Sequence, residues 1–440
     1  WRVARNLARA DLVEVLAASP HRTRPACPLF GECGGCQYQH IALDVQRDWK
    51  RRQVVAALAR LADVGRQHTD VVVNAARGGP SAYAYRSKLT PHHDAPNAET
   101  GDIGAIGFKN QRNKIVDVAE CPIATPAVNA ALPAARDAAR ASARAAVEAY
   151  YFGGKQTMTG SSSDSKTTTK GPSSSPRKPR GATLLLRQHD AGVATGQKDV
   201  VRETVAGLSF EFRAGDFFQN NPEVLETLVE HVVGQAAAPR TTPTRNLVDM
   251  YCGGGLFALC AAASGKFDRV AGVEISATNV ESARRNAAAN GLGEAARFDA
   301  GEAEAMFASI VRDFDPDETA VVLDPPRAGC SPDFLAQLLR FRPAVIVYVS
   351  CDPATQARDA KHILRGVVAT DAAQEDVLLE EGPSALPRYR LTDVTPFDLF
   401  PQTRHIENVC TFALGGGPDN DDVVRMTHSR KPSYGVSPEP

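Results

Sequence analysis

The sequence predicts an α/β protein: a mixed α+β front half leading into a back half built on a parallel, doubly wound sheet. Three observations carry this. From about residue 245, strand and helix patterns alternate, and a βαβα order calls for parallel strands joined by crossover helices. The first strand-to-helix turn of that stretch is glycine-rich, Gly253-Gly254-Gly255, as where a backbone approaches a ligand at the carboxyl edge of such a sheet. The front half shows no such alternation and instead gathers cysteines near its start.

Within residues 1–20, Asp11–Leu16 alternates in part between polar and apolar and predicts a half-buried strand ending a small β unit. Residues 41–64 space Leu43, Val45, Trp49, Val54, Val55, Leu58 and Leu61 mostly as a helix with an Arg/Lys face. Residues 70–125 read as short strands, among them Tyr85–Leu89 and Ile103–Phe108, and the Ala-rich stretch Pro126–Tyr151 reads as a helix. Residues 153–181 are Ser, Thr, Lys, Gly and Pro and predict a disordered insert, either merely solvated or touching RNA through its cations. Thr183–Arg187 resumes a strand. The back half then predicts strands at 246–250, 269–273, 319–323 and 344–349. Helices follow them at 255–263, 276–290, 333–339 and 353–364, with a disordered tail after Leu414.

Apolar residues make up 43% and charged residues 23% of the 440, which excludes wholesale disorder and fibrous classes. No apolar run reaches the roughly 18 residues of a membrane span. Residues 1–200 hold 28 Lys and Arg against 17 Asp and Glu, and residues 201–440 hold 22 against 34. A basic front half fits a polyanion partner, or a charged insert with no specific role. Nine cysteines in a chain this long read as reduced thiols of an intracellular protein, cytoplasmic or nuclear. The chain begins at Trp1 rather than Met, so the reading leaves a targeting segment, and a mitochondrial location, open.

The chemistry-bearing motifs follow the strands. Glu274 ends the second strand of the alternating stretch, roughly 20 residues after the glycines, where a carboxylate accepts ribose hydroxyls; an exposed strand-end Glu is the alternative. No Lys follows the glycines to grip a triphosphate. Asp324 ends another strand ahead of Pro325-Pro326-Arg327, whose prolines fix the turn. Cys351 lies between a strand and a helix start, where the helix dipole favours a thiolate; a buried structural thiol is the alternative. Glu407 follows a Pro turn and is placed to act as a base beside it. At the front, Cys27, Cys33 and Cys36 lie close together and Cys121 far downstream. Zinc sites usually pair two Cys-x2-Cys units; three close thiols and one distant are nearer to iron–sulfur ligation.

Five stretches together resemble the RNA uracil-C5 methyltransferases: Phe217–Pro222, Asp249–Phe257, Asp324–Arg327, Ser350–Pro353 and Phe400–Glu407. The resemblance implies a Rossmann-like S-adenosylmethionine methyltransferase domain over 206–415. Gln219, Tyr251, Glu274 and Asp324 would contact S-adenosylmethionine, Cys351 would be the nucleophile and Glu407 the base. Asp352 departs from the Asn usual in the family, which bears on local hydrogen bonding. The cysteine pattern with Gln37-Tyr38-Gln39-His40 matches the branch that carries a [4Fe–4S] cluster. By that resemblance Cys27, Cys33, Cys36 and Cys121 hold the cluster in an iron–sulfur and RNA-binding domain over 21–205. Residues 1–20 would be the end of a TRAM-like β-barrel, and 416–440 a disordered tail. Within the branch, the sequence looks most like the fungal enzymes that act on uridine 54 of the tRNA T loop. The implied activity is methylation of uridine C5 through a covalent Cys–C6 adduct on a flipped base, with tRNA as partner and no membrane. A ribosomal RNA substrate, or a non-catalytic iron–sulfur RNA-binding protein, are the rival readings.

Overall fold

A computed structural model describes residues 2–4, 7–9, 12–62, 72–152, 177–240, 242–303, 305, 307, 311–368, 377–378 and 388–415. Its centre is one eight-stranded sheet. The strands are β1 (Arg77–Gly78), β2 (Asn246–Met250), β3 (Arg269–Glu274), β4 (Ala296–Ala300), β5 (Thr319–Leu323), β6 (Val345–Ser350), β7 (Tyr389–Asp398) and β8 (Glu407–Leu414), in the order β4-β3-β2-β5-β6-β8-β7-β1. β2 to β6 run parallel; β8 is antiparallel to both β6 and β7, and β1 lies parallel to β7.

Every residue of β2, β5 and β6 is buried, as expected of parallel strands covered on both faces. On one face lie α3 (Pro222–Ala236), α4 (Leu256–Ala263) and α5 (Ala277–Ala289); on the other, α1 (Leu43–Leu61), α6 (Pro332–Phe341) and α7 (Pro353–Arg365). α1 comes from the front half yet packs directly against α7. Among the described residues no helix is long and apolar enough to cross a membrane.

The rest of the front half is built from short ladders around α2 (Pro126–Val147). One sheet takes Ile115–Asp117, Gly107–Lys109, His92–His93 and Ala182–Thr183; another takes Gly192–Ala194, Leu186–His189 and Lys88–Leu89. The Thr125 side chain caps α2 by accepting the Val128 N–H. From α2, the buried Arg136 donates to Ile106 O and Val118 O and grips Asp117 with two bonds of 2.9 Å.

Two expectations need correction. Residues 12–15 form no strand, and Leu12, Val13 and Leu16 are 77%, 96% and 90% exposed. Partial alternation cannot make a strand where no neighbour supplies a ladder or a surface to bury against. Arg2–Ala4 and Leu7–Arg9 pair instead, with each other alone. The sheet is also mixed rather than purely parallel, because β7 and β8 form a long antiparallel hairpin at its end. Most of the expected 153–181 insert, and the tail from 416, lie outside the described residues.

Candidate active site

The site lies at the carboxyl edge of the parallel strands. After β2 the chain turns through Tyr251 and Gly253 at positive φ (65° and 54°) into Gly255 at φ 91°, which starts α4. Gly255 needs both its conformation and its size, since a Cβ there would meet Ala283 and Phe298 at 3.2 Å. The fully buried Asp249 reaches forward and accepts the Ala258 N–H at 3.0 Å, locking strand, turn and helix together.

Glu274, at the end of β3, accepts the Gly253 N–H at 3.1 Å and the Ser276 N–H at 2.9 Å through its two oxygens. Each oxygen keeps a lone pair for a ligand hydroxyl. Asp324 follows β5, and the loop behind it is tied down from α7. Arg358 donates to Ala328 O, and the buried Asp359 accepts both the Cys330 N–H and, at 2.7 Å, the Tyr348 hydroxyl.

Cys351 follows β6 directly, and Asp352 caps α7 by accepting the Ala354 and Thr355 N–H groups. An aspartate does this as well as an asparagine, so the one departure from the family pattern keeps its local bonding.

The register between β6 and β8 explains why Cys351 and Glu407 meet. Pairing runs from Val345 opposite Ala413 to Ser350 opposite Asn408. The next step along that register is Cys351 opposite Glu407. Gln356 on α7 fastens this end, donating to Tyr348 O at 2.8 Å and Asn408 O at 3.1 Å while accepting from the Asn408 side chain at 2.7 Å.

Cys351, Glu407, Gln219, Tyr251, Glu274 and Asp324 all line one cleft of about 1020 Å³. Burial holds the Glu407 carboxyl well above the usual range, and the Asp324 charge adds to this while Arg327 opposes it. Burial likewise pushes Asp324 up to about 7. Two carboxyl groups that resist ionising side by side make a cleft that favours a cationic ligand. Burial and the Glu407 charge also raise the Cys351 thiol, against the lowering expected from the helix dipole. Arg327 works the other way, by charge and by a hydrogen bond to the sulfur.

Four residues emerge here that the motif reading gave no role. Arg327 joins both Cys351 and, at 3.4 Å, the His405 ring. That ring, buried and surrounded by Arg327 and other cations, titrates at about 4 and is therefore neutral. Lys50 on α1 makes a fully buried 2.5 Å ion pair with Asp398 and donates to Phe400 O. Arg327 and His405 lie within Asp324–Arg327 and Phe400–Glu407, which was their signal; nothing local to Lys50 marked Asp398 as its partner.

Cys27, Cys33, Cys36 and Cys121 line a second cavity, of about 260 Å³, together with Thr403 and His405 of the loop that leads to Glu407. All four thiols are free and partly buried. Burial pushes Cys36 up to about 12. Asn129 holds Cys121 in place, accepting its N–H at 2.9 Å and donating to its carbonyl at 3.0 Å. Among the described residues no three His, Cys, Asp or Glu side chains stand close enough to share one metal ion.

Residues 187–376 match the family model of tRNA (uracil-5-)-methyltransferase. Over 421 residues the chain is 36% identical to a tRNA (uracil(54)-C(5))-methyltransferase of Schizosaccharomyces pombe, covering 93% of this chain and 69% of that protein. The chain belongs to the tRNA (uracil-5-)-methyltransferase family. Its Saccharomyces cerevisiae relative of the same name is 31% identical, with 91% of this chain and 64% of that one covered. For the fold, this family member superposes with TM-score 0.55 and 22% identity on the tRNA (uracil-54, C5)-methyltransferase of Pyrococcus abyssi, solved in complex with S-adenosyl-L-homocysteine, over 91% of this chain and 88% of that one.

Proposed function

We propose that this enzyme methylates C5 of uridine 54 in the tRNA T loop, with S-adenosylmethionine as methyl donor. The observation that carries the reading is that Cys351 and Glu407, each one step beyond the last pair of the β6–β8 ladder, line the same cleft as Gln219, Tyr251, Glu274 and Asp324. S-adenosylmethionine brings a methyl group on a cationic sulfonium, which suits a cleft holding two reluctant carboxyls. Glu274 has free lone pairs for ribose hydroxyls, and the turn at Gly253–Gly255 leaves room for the nucleoside.

The residues then have these tasks. Cys351, its thiolate steadied by Arg327, adds to C6 of the uracil and pushes the ring electrons toward O4, which makes C5 nucleophilic. C5 takes the methyl group as S-adenosylhomocysteine leaves, and the ionised form of Glu407, which the Arg327 charge favours, removes the proton from C5. The returning electron pair expels the Cys351 thiolate and restores the C5–C6 double bond. A base inside a loop must leave its stack to reach Cys351.

The front cavity supports the finer reading that Cys27, Cys33, Cys36 and Cys121 hold a [4Fe–4S] cluster. All four thiols line the same cavity and are free and partly buried, and their spacing, three close together and one distant, is the one nearer to iron–sulfur ligation. The cluster's part is to order residues 21–205 as the RNA-binding unit, with 206–415 carrying out methyl transfer and the first twenty residues ending a TRAM-like barrel.

Tritium release from C5-labelled uridine tests the reaction. Release from tRNA that depends on S-adenosylmethionine supports it. Release from ribosomal RNA fragments alone, or from neither, overturns it.

A further inference from the structure

Cys351 faces two ways. Besides the cofactor cleft it lines a second open cavity of about 430 Å³, which shares only Arg327 and Cys351 with the first. A uracil bonded through C6 to the sulfur, with its methyl donor in the first cleft, has this second cavity beside it for the strand it hangs from.

The cavity is cationic. Arg60, Arg327 and Arg404 line it, and the lone carboxylate among its lining residues is Asp352, already engaged with two N–H groups of α7. Arg60 and Arg404 are exposed and enter no ion pair among the described residues.

One wall is α1, whose buried side carries Gln46, Lys50, Val54, Ala57 and Leu58. Its outward side presents Trp49, Gln53, Ala56 and Arg60, spaced as one helical face about 16 Å long. Trp49 is 49% exposed and meets the Tyr38 ring edge-on at 6.5 Å, while Gln53 donates to the Tyr38 hydroxyl at 3.3 Å. A large aromatic held in place yet half open to water, in line with free arginines, has the make-up of a single-strand nucleic-acid track.

We propose that this face is the docking track for the RNA strand adjoining the target uridine. Arg60 and Arg404 hold its phosphates, and Trp49 with Tyr38 stacks an unpaired base of the same loop. The proposal rests on the reading of the substrate as RNA.

The experiment measures affinity of the full-length protein for a T-loop hairpin RNA by fluorescence anisotropy at several salt concentrations, with S-adenosylmethionine binding in parallel. The proteins are wild type, an Arg60→Ala/Arg404→Ala double variant, Trp49→Ala and Trp49→Phe. The double variant should bind RNA at least tenfold more weakly. Its plot of log affinity against log salt should be shallower by about 1.4, at roughly 0.7 per single-strand phosphate contact. Trp49→Ala should weaken binding several-fold and Trp49→Phe should recover most of it, while S-adenosylmethionine affinity stays unchanged in all. Wild-type RNA affinity and salt slope in both the double variant and Trp49→Ala would overturn the track and leave the methylation reading standing. A wild-type protein that binds no RNA would overturn both.

Discussion

Gln46 and Gln402 stand 356 positions apart and bond to each other twice: the Gln46 side-chain oxygen accepts the Gln402 main-chain N–H at 2.9 Å, and its amide donates to the Gln402 side chain at 3.0 Å. Gln402 sits at φ 69°, a conformation that side chains rarely adopt. The N–H groups of Gln37 and Tyr38, next to Cys36, both donate to its carbonyl, and Tyr85 donates to the carbonyl of Pro401. The loop that delivers Glu407 is thus held in shape by the cysteine-bearing front segment. Gln46→Leu should leave buried polar groups unmatched, at about 1–3 kcal/mol. The expected outcome is a lower thermal midpoint and a kcat reduced tenfold or more, with S-adenosylmethionine affinity kept; equal loss of affinity would argue against a role confined to the loop.

Cys351→Ala should abolish methylation and the covalent RNA complex while S-adenosylmethionine still binds. Isothermal titration beside a tritium-release assay checks this. Turnover near the wild-type rate would rule out the covalent route.

Glu407→Gln should stall the reaction after methyl transfer, because an amide cannot take the C5 proton. The methylated adduct should then survive denaturing electrophoresis as a protein–RNA band. Rapid product release by this variant would remove Glu407 from the role of base.

The Asp324 carboxyl, raised to about 7 by burial, makes two pH-dependent statements. Its folded value lies above the ordinary one near 3.9, so the unliganded fold should lose stability as pH rises from about 4 to 7. A cation bound beside it gains from the ionised form, so S-adenosylmethionine affinity should strengthen over that upper range and level off above it. Asp324→Asn should bind weakly with a flatter profile. Titration calorimetry between pH 5.5 and 8.5 decides, and an unchanged slope in the variant would assign the dependence elsewhere.

Protein purified without oxygen should contain iron and sulfide in equal amounts and absorb broadly toward the blue end of the visible range. Cys121→Ser should lower cluster retention and RNA affinity more than S-adenosylmethionine affinity. Elemental analysis finding zinc in place of iron and sulfide would contradict this and leave Cys351 and Glu407 untouched.

Much of the catalytic half was legible in the sequence because its signals are local. The turn at Gly253–Gly255, Glu274 one strand later and Cys351 between strand and helix each announce themselves within a few residues. The pairing of Cys351 with Glu407 was readable as two loops coming together, but not as neighbouring positions on one register, since that depends on β8 inserting between β6 and β7. Lys50 and Asp398 were illegible as partners for the same reason: a lysine on a helix with an Arg/Lys face reads as solvated until the helix is seen packed on a distant sheet. At Leu12–Leu16 a local pattern misled, because no surface was there to complete it.

β1 gives the front half a hold on the far border of the catalytic sheet. Arg77 and Gly78 pair with Phe397 and Asp398, and just upstream the Asn74 N–H reaches Val394 O while its side chain bonds Asp393 and Thr395. A fragment trimmed to residues 206–415 would lose this cover, leaving the outward main-chain groups of β7 between Val394 and Asp398 open to any passing strand. Such a fragment should self-associate rather than behave as a minimal enzyme. The methyl-transferring portion cannot be lifted out of this protein by cutting where its motifs begin.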